Sequence, residues 1–227
     1  MGEPVVVPPL FRGQHVQGFF TTKALNGDPK ALAGFLNIDE RDIYLPIQKH
    51  TDKIVIVDHD MEAKIADAVI TGRKGIFIGV RVADCVPILL YDRKKRISGA
   101  VHAGWRGTAE EILKKTIALM MSRFYSSPED ILMAVGPSIK WCCYEVGHEV
   151  IEAVVKVNGE GAYYKTKGEK YCIDLPSANL QQALSLGIPA ANIWISDECT
   201  FCKPDRFYSY RFAKGSTGRQ GGFIGIV

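Results

Sequence analysis

A thiol and an imidazole stand at matching ends of two apolar segments near the middle of the chain. Cys85 comes just before the run 86–91, and His102 ends the run 97–102. Their apolar and β-branched composition predicts two adjacent strands. Cysteine and histidine are the side chains that bind zinc or serve as nucleophile and base. His50, at the end of an earlier segment, is a third candidate for the same site.

His50, Cys85 and His102 would fit a catalytic zinc site, which uses three protein ligands and leaves one position for water or substrate. They lie far apart in sequence, unlike the closely spaced pairs of zinc fingers, so two alternatives stay open. Cys85 and His102 could form a metal-independent nucleophilic pair, or Cys85 could be a small buried hydrophobe. The second alternative would leave Asp84 in a core without a partner, which is costly.

A glycine-rich turn follows His102. Gly104 and Gly107 let the backbone approach a ligand closely, and Arg106 can grip a phosphate through two hydrogen bonds. Free N–H groups at the start of the helix that follows would favour an anion. The pattern therefore indicates an anion site, and a tight turn with Trp105 packed beneath it is the structural alternative.

Four other cysteines lie in the second half of the chain. Cys142 and Cys143 are adjacent, and neighbours on a strand point to opposite faces, so we expect that both cannot bind one ion. Cys199 and Cys202 form a C-x-x-C pair without a second pair at zinc-ribbon spacing. We expect a structural role for this pair, with a local disulfide or a place in the site wall as alternatives.

Composition sets the broad class. The chain has 227 residues, 47% of them hydrophobic, and a formal charge of +3. This length and hydrophobic content predict one domain over residues 1–227. The basic run 92–96 resembles a solvated hairpin turn, so a nucleic-acid partner is not expected. No apolar stretch approaches the roughly 20 residues of a membrane span, and no signal-peptide pattern opens the chain. We expect a cytoplasmic protein whose cysteines are mostly reduced.

The hydrophobic periodicity predicts an α/β (α+β) fold with a mixed β-sheet core layered by helices. The predicted strands are 16–21, 54–58, 68–71, 76–80, 86–91, 97–102, 131–135, 193–196, 208–210 and 223–227. The predicted helices are 29–36, 108–125, 146–157 and 178–186. In the second of these, Thr108 is the expected N-cap, with Glu111 completing a capping box.

Seven short motifs occur in order along the chain: Gln48-x-His50, ADAVIT at 66–71, ADCVP at 83–87, VHAGWRG at 101–107, GPSI at 136–139, CYEVG at 143–147 and YSYR at 208–211. Together they resemble the YfiH-like family, known as laccase-domain or multicopper polyphenol oxidase proteins and also described as purine nucleoside phosphorylases. The resemblance extends from about Gly18 to the C-terminus, which makes residues 1–15 an expected N-terminal extension of the domain.

The resemblance implies a single α/β domain in which His50, Cys85 and His102 hold zinc. It also implies phosphorolysis of adenosine, inosine, guanosine and methylthioadenosine, with adenosine deamination. A purine nucleoside and phosphate would then be the partners, and the protein would be a monomer or weak homo-oligomer. A copper-dependent polyphenol oxidase is an alternative function, but five histidines are too few for a multicopper oxidase, and blue-copper sites add a weak axial ligand. A non-catalytic module that binds a metal or a partner is a further alternative.

Three departures from the family pattern bear on the substrate. Thr51 stands where the family usually has glycine, Phe212 replaces a second arginine, and Lys23 replaces an early arginine. For the reaction, Asp84 is the expected proton shuttle, with a structural role as its alternative. Gly104, Arg106 and Arg211 are the expected phosphate-binding residues.

Overall fold

The computed structural model describes residues 2–227. Its strands are β1 (Val5–Val6), β2 (Val16–Thr21), β3 (Ile43–Tyr44), β4 (Ile54–Ile56), β5 (Ala68–Thr71), β6 (Phe77–Val82), β7 (Val86–Asp92), β8 (Ile97–Ala103), β9 (Ile131–Val135), β10 (Glu145–Val146), β11 (Tyr164–Lys167), β12 (Lys170–Ile173), β13 (Ile193–Ile195) and β14 (Gln220–Ile226). Its α-helices are α1 (Pro29–Leu36), α2 (Trp105–Ala109), α3 (Ile112–Phe124), α4 (His148–Asn158) and α5 (Leu175–Ser185). Within this range no helix is long and apolar enough to cross a membrane.

The strands form three sheets. A six-stranded sheet has the order β13-β9-β7-β8-β5-β4, a five-stranded sheet has the order β1-β2-β14-β6-β3, and a small sheet has the order β10-β12-β11. Most neighbours are antiparallel, but β3 with β6, β4 with β5 and β9 with β13 are parallel. The predicted α/β class with a mixed sheet is confirmed, and β1 adds residues of the expected N-terminal extension to the five-stranded sheet.

The two large sheets pack face to face, and helices cover their outer faces. Leu89 and Tyr91 point toward the five-stranded sheet, whereas Ile88 and Leu90 point toward α3, α4 and α5. Phe19 and Phe223, together with Leu32 of α1, form a third cluster on the far side of the five-stranded sheet. Because successive strand residues face opposite sides and both sides are buried, β7 is apolar almost throughout.

One end of the six-stranded sheet gathers the candidate residues. In the β7–β8 pair, Pro87 lies opposite His102, so Cys85, two residues before Pro87, lies beside the end of β8. In the β5–β8 pair, Ala68 lies opposite Val101, which places Asp67 next to His102. The register of these two antiparallel pairs therefore brings Asp67, Cys85 and His102 to the same end of the sheet.

The predicted helix 108–125 is wrong at its start. The chain is already helical from Trp105, and it breaks at Glu111, whose φ of 57° is left-handed, before α3 begins. Thr108 is buried inside the first segment and caps nothing. Asn179 donates to the Thr108 hydroxyl at 3.0 Å, and Gln182 donates to its carbonyl at 2.9 Å, so α5 satisfies the polar groups at the break.

The segment 208–210, predicted as a strand, is an irregular loop that leads into a turn at Tyr210. The side chain of Gln220 takes the place of a strand partner, because its amide accepts from the Tyr208 N–H at 2.7 Å and donates to the Tyr208 carbonyl at 3.0 Å. Two helix starts also differ. Val146 belongs to β10, so that helix begins at His148, and α5 begins at Leu175, earlier than predicted.

Candidate active site

His50, Cys85 and His102 meet at one end of the six-stranded sheet, where its central strand β7 begins and the neighbouring β8 ends. Each offers one ligand atom, and these atoms all lie within 4.8 Å of one another. The Cys85 Sγ is 3.9 Å from His50 Nε2, and the two imidazole rings are 4.8 Å apart at an angle of 71°. His50 is exposed, Cys85 is half-buried and His102 is buried, so the group opens to solvent on one side.

Asp67 supports this group from beneath. Its carboxylate is fully buried and accepts from His102 Nδ1 at 2.8 Å, which leaves His102 Nε2 as the free ring nitrogen. Burial alone would raise the pKa of Asp67, but the hydrogen bonds from His102 and Thr51 outweigh it and hold the pKa below its usual range. A carboxylate that fixes the orientation and tautomer of a histidine is the usual support of a metal ligand.

The same carboxylate fixes the backbone around His50. Asp67 accepts the N–H groups of Lys49, His50 and Thr51 at 3.2, 3.1 and 2.7 Å, and the Thr51 hydroxyl at 2.8 Å. His50 has a φ of 58°, a left-handed conformation that is unfavourable for most side chains. Because three consecutive N–H groups converge on one buried charge, Asp67 holds His50 in that conformation.

Gln48 ties this segment to β6. Its side-chain amide accepts from the Arg81 N–H at 2.8 Å and donates to the Arg81 carbonyl at 2.9 Å. Asp67 and Gln48 both lie within the quoted motifs, but neither is among the residues predicted from the sequence to form the site. An aspartate directly before the buried strand β5 was the available signal, because a charge there needs a partner.

Electrostatics couple Cys85 to His102. Burial would raise the pKa of Cys85, but the charge and hydrogen bond of His102, with a smaller contribution from His50, lower it to about 6. Burial would lower the pKa of His102, but the charge on Cys85 and the hydrogen bond to Asp67 raise it to about 9. Both shifts favour a thiolate beside an imidazolium in the metal-free site, and the thiolate is the form that binds metals.

Asp84, directly before Cys85, is buried and fully occupied by hydrogen bonds from other segments. One carboxylate oxygen accepts from the Thr200 hydroxyl at 2.6 Å, and the other accepts from the Arg211 N–H at 2.8 Å. Its φ of 84° is left-handed, so these bonds hold a strained turn immediately before Cys85. This arrangement favours the structural alternative for Asp84, and the proton-shuttle role stays a prediction.

Gly104 lies against two of the three candidate ligands. A Cβ at this position would be 3.0 Å from the Cys85 sulfur and 3.3 Å from His50 Cδ2. Its φ of −74° and ψ of 179° are open to any residue, so space rather than conformation requires glycine here. Binding of phosphate at Gly104 remains a prediction.

Arg106 and Arg211 are exposed, and both lie near Tyr144 on the side of the site where Cys85 also acts on that tyrosine. The Arg106 guanidinium stacks on Trp105 at 4.3 Å from the ring centre, and the Arg211 guanidinium lies 5.3 Å from the centre of the Tyr144 ring. Burial and the nearby charge of Cys85 raise the pKa of Tyr144 to about 12, with both arginines opposing the shift. Tyr144 lies in the CYEVG motif but is not among the site residues predicted from the sequence.

Comparison with known proteins is consistent with this geometry. Residues 21–227 match the family described as multi-copper polyphenol oxidoreductase laccase. The chain belongs to that family. It is 37% identical to a purine nucleoside phosphorylase of Clostridium acetobutylicum over 89% of this chain and 84% of that protein.

Two further similarities point the same way. The chain is 37% identical to adenosine deaminase RL5, from an unknown prokaryotic organism, over 86% of this chain and 78% of that protein. The crystal structure of the hypothetical protein YfiH of Bacillus licheniformis superposes with a TM-score of 0.93 at 30% identity, over 99% of this chain and 97% of that one. The predicted resemblance and fold are confirmed.

Proposed function

We propose that this protein is a zinc-dependent purine nucleoside enzyme that catalyses phosphorolysis of adenosine, inosine, guanosine and methylthioadenosine and also deaminates adenosine. The names of the Clostridium acetobutylicum and RL5 relatives support the two reactions. The observation that carries the proposal is the convergence of His50, Cys85 and His102 within 4.8 Å above the buried carboxylate of Asp67. The proposed enzyme is cytoplasmic, a single domain over residues 1–227 with 1–15 as an N-terminal extension, and a monomer or weak homo-oligomer.

The donor set fits zinc. Two imidazole nitrogens and one thiolate are ligands that zinc accepts, and three ligands with an open side are typical of catalytic sites. His50 would provide the exposed edge of the site, while His102 and Cys85 would hold the metal from below. When bound at such a site, zinc acts as a Lewis acid and makes water a nucleophile near neutral pH.

The arginines beside the group suit the second substrate. In phosphorolysis a phosphate oxygen attacks C1′ of the ribose, the C1′–N9 bond breaks, and the departing base takes up a proton. We assign phosphate binding to Arg106 and Arg211. Neither guanidinium forms a salt bridge with a carboxylate among residues 2–227, so both charges are available to an anion. Tyr144 stays protonated at neutral pH, so its hydroxyl can donate to the base as it leaves.

The variant Cys85→Ala tests the proposal. We expect it to lose phosphate-dependent release of hypoxanthine from inosine, because the site keeps only two ligands. His59→Ala is the matched control, since His59 is almost fully exposed and outside the group, and it should behave like the unmodified protein. Full activity in Cys85→Ala would overturn the assignment of the zinc site.

A metal-independent hydrolase that uses Cys85 and His102 is the second candidate. The lowered pKa of Cys85 and the raised pKa of His102 favour it, because an ion pair of this kind makes a reactive thiolate. The two candidates differ in their response to chelators: the hydrolase keeps its activity, whereas the zinc enzyme loses it. A chelated enzyme whose activity returns with copper but not with zinc would instead support copper as the metal.

A further inference from the structure

A second group of ligand atoms lies outside the candidate active site. Cys142, Cys143, Cys199 and Cys202 each contribute a sulfur, and all four sulfurs lie within 4.8 Å of one another. The Cys143 and Cys202 sulfurs are 3.2 Å apart, and those of Cys142 and Cys202 are 3.7 Å apart. Cys142 and Cys143 lie in a turn and not in a strand, so the alternation that would point neighbouring side chains to opposite faces is absent here.

These separations fit a tetrahedral metal. With Zn–S bonds of about 2.3 Å, two sulfurs of a tetrahedral site are about 3.8 Å apart. The measured distances of 3.2 and 3.7 Å, and the upper limit of 4.8 Å, lie around that value. Four thiolates with no further ligand are the donor set of a closed structural zinc site. We propose that Cys142, Cys143, Cys199 and Cys202 bind a structural zinc ion.

The backbone around the cluster supports this assignment. The N–H groups of Cys202 and Lys140 are directed at the Cys199 sulfur. Ser138 and Cys199 form a parallel bridge, and the Thr200 N–H donates to the Ser138 carbonyl at 3.1 Å. The two cysteine-bearing turns are thus already held side by side, which lowers the entropy lost when a metal joins them.

The cluster connects directly to the candidate active site. Thr200 lies between Cys199 and Cys202, and its hydroxyl donates to Asp84 at 2.6 Å, one residue before Cys85. On the other turn, the Ile139 N–H donates to the Asp84 carbonyl at 3.0 Å. A zinc ion that clamps the two turns would therefore fix the strained loop from which Cys85 reaches its partners.

Zinc content of the full-length protein purified under reducing conditions tests the proposal. Elemental analysis should find about two equivalents per chain in the unmodified protein and about one in Cys85→Ala, if each site binds one ion. The double variant Cys142→Ser/Cys202→Ser should also hold about one, and Cys172→Ala, which removes a cysteine outside both groups, should hold about two. A content of one in the unmodified protein and none in Cys85→Ala would overturn the proposal.

Cobalt gives a readout that does not depend on activity or on the double variant folding. In Cys85→Ala, which keeps the four-cysteine cluster, bound cobalt should show strong thiolate charge-transfer bands and the d–d bands of a tetrahedral site. Weak octahedral bands would contradict the proposal, as would a Cys143–Cys202 disulfide found by mass spectrometry in the reduced preparation. Because this variant lacks a ligand of the proposed active-site zinc, failure here is distinguishable from failure of the proposed function.

Discussion

Replacing Asp67 with asparagine tests how the candidate active site is held. The carboxylate accepts hydrogen bonds from Lys49, His50, Thr51 and His102, and an amide keeps only one accepting oxygen. If the amide nitrogen takes the place of Oδ1, it faces the His50 N–H, which loses its acceptor. It would also donate to His102 Nδ1, which favours the neutral tautomer with its proton on Nε2, the nitrogen that would bind the metal.

The magnitude follows from these contacts. Hydrogen bonds to a charged group contribute about 1.5–3 kcal/mol against about 1 kcal/mol for neutral ones, and an orphaned buried donor costs about 1–3 kcal/mol. For Asp67→Asn we expect a loss of about 3–5 kcal/mol in the free energy of unfolding. Loss of the carboxylate behind a ligating histidine should weaken zinc binding by about 10- to 100-fold.

Two assays measure these effects. Urea denaturation gives the free energy of unfolding, and competition with a chromophoric chelator gives the zinc affinity. Asp58→Asn is the matched control, because Asp58 is exposed and distant from the ligands in the sheet. If Asp67→Asn unfolds at the same urea concentration and binds zinc as tightly as the unmodified protein, the role derived for Asp67 is wrong.

Three further predictions use the same geometry. Gly104→Ala should weaken zinc binding by about 10-fold or more, because its Cβ would lie 3.0 Å from the Cys85 sulfur. The control Gly34→Ala, in open space on α1, should leave the zinc affinity unchanged. If both variants bind zinc equally tightly, the steric role of Gly104 is wrong. In the metal-free protein, alkylation of Cys85 should stay fast down to about pH 6, because the lowered pKa keeps the thiolate present above that pH. Peptide mass spectrometry measures the alkylation rate of this cysteine. A rate profile whose midpoint lies near the usual thiol pKa of about 8.5 would contradict the ion pair with His102. Arg106→Ala and Arg211→Ala should each raise the KM for phosphate by about 10-fold, because each removes one charge-assisted hydrogen bond. Neither variant should change the rate of adenosine deamination. An equal loss of phosphorolysis and deamination would contradict the assignment of phosphate binding to these arginines.

Much of the fold and the approach of Cys85 to His102 could be predicted from local sequence. Strands β2, β5 and β9 and helix α1 have the predicted bounds, because each is a run of apolar or helix-forming residues closed by clear turn or cap signals. Cys85 and His102 flank two such runs, and a hairpin between them brings their ends together. Asp92 closes that hairpin by accepting the N–H groups of Lys94 and Lys95, both at 2.9 Å.

The remaining features depend on contacts between distant segments. The break before α3 is stabilised by Asn179 and Gln182 of α5, about 70 residues further along, and no local signal reports such partners. The cysteine cluster joins turns whose Cys143 and Cys202 are 59 positions apart. The expectation that Cys142 and Cys143 point to opposite faces assumed a strand, whereas the structure places both in a turn that depends on tertiary packing.

The proposed function requires zinc at His50, Cys85 and His102 for nucleoside phosphorolysis. The most direct test is the rate at which the metal-stripped protein forms hypoxanthine from inosine and phosphate, before and after zinc is added back. We predict that stripping abolishes the rate, that zinc restores it, and that His102→Ala, which retains the four-cysteine cluster, does not recover. A stripped protein that keeps its full rate would contradict the account.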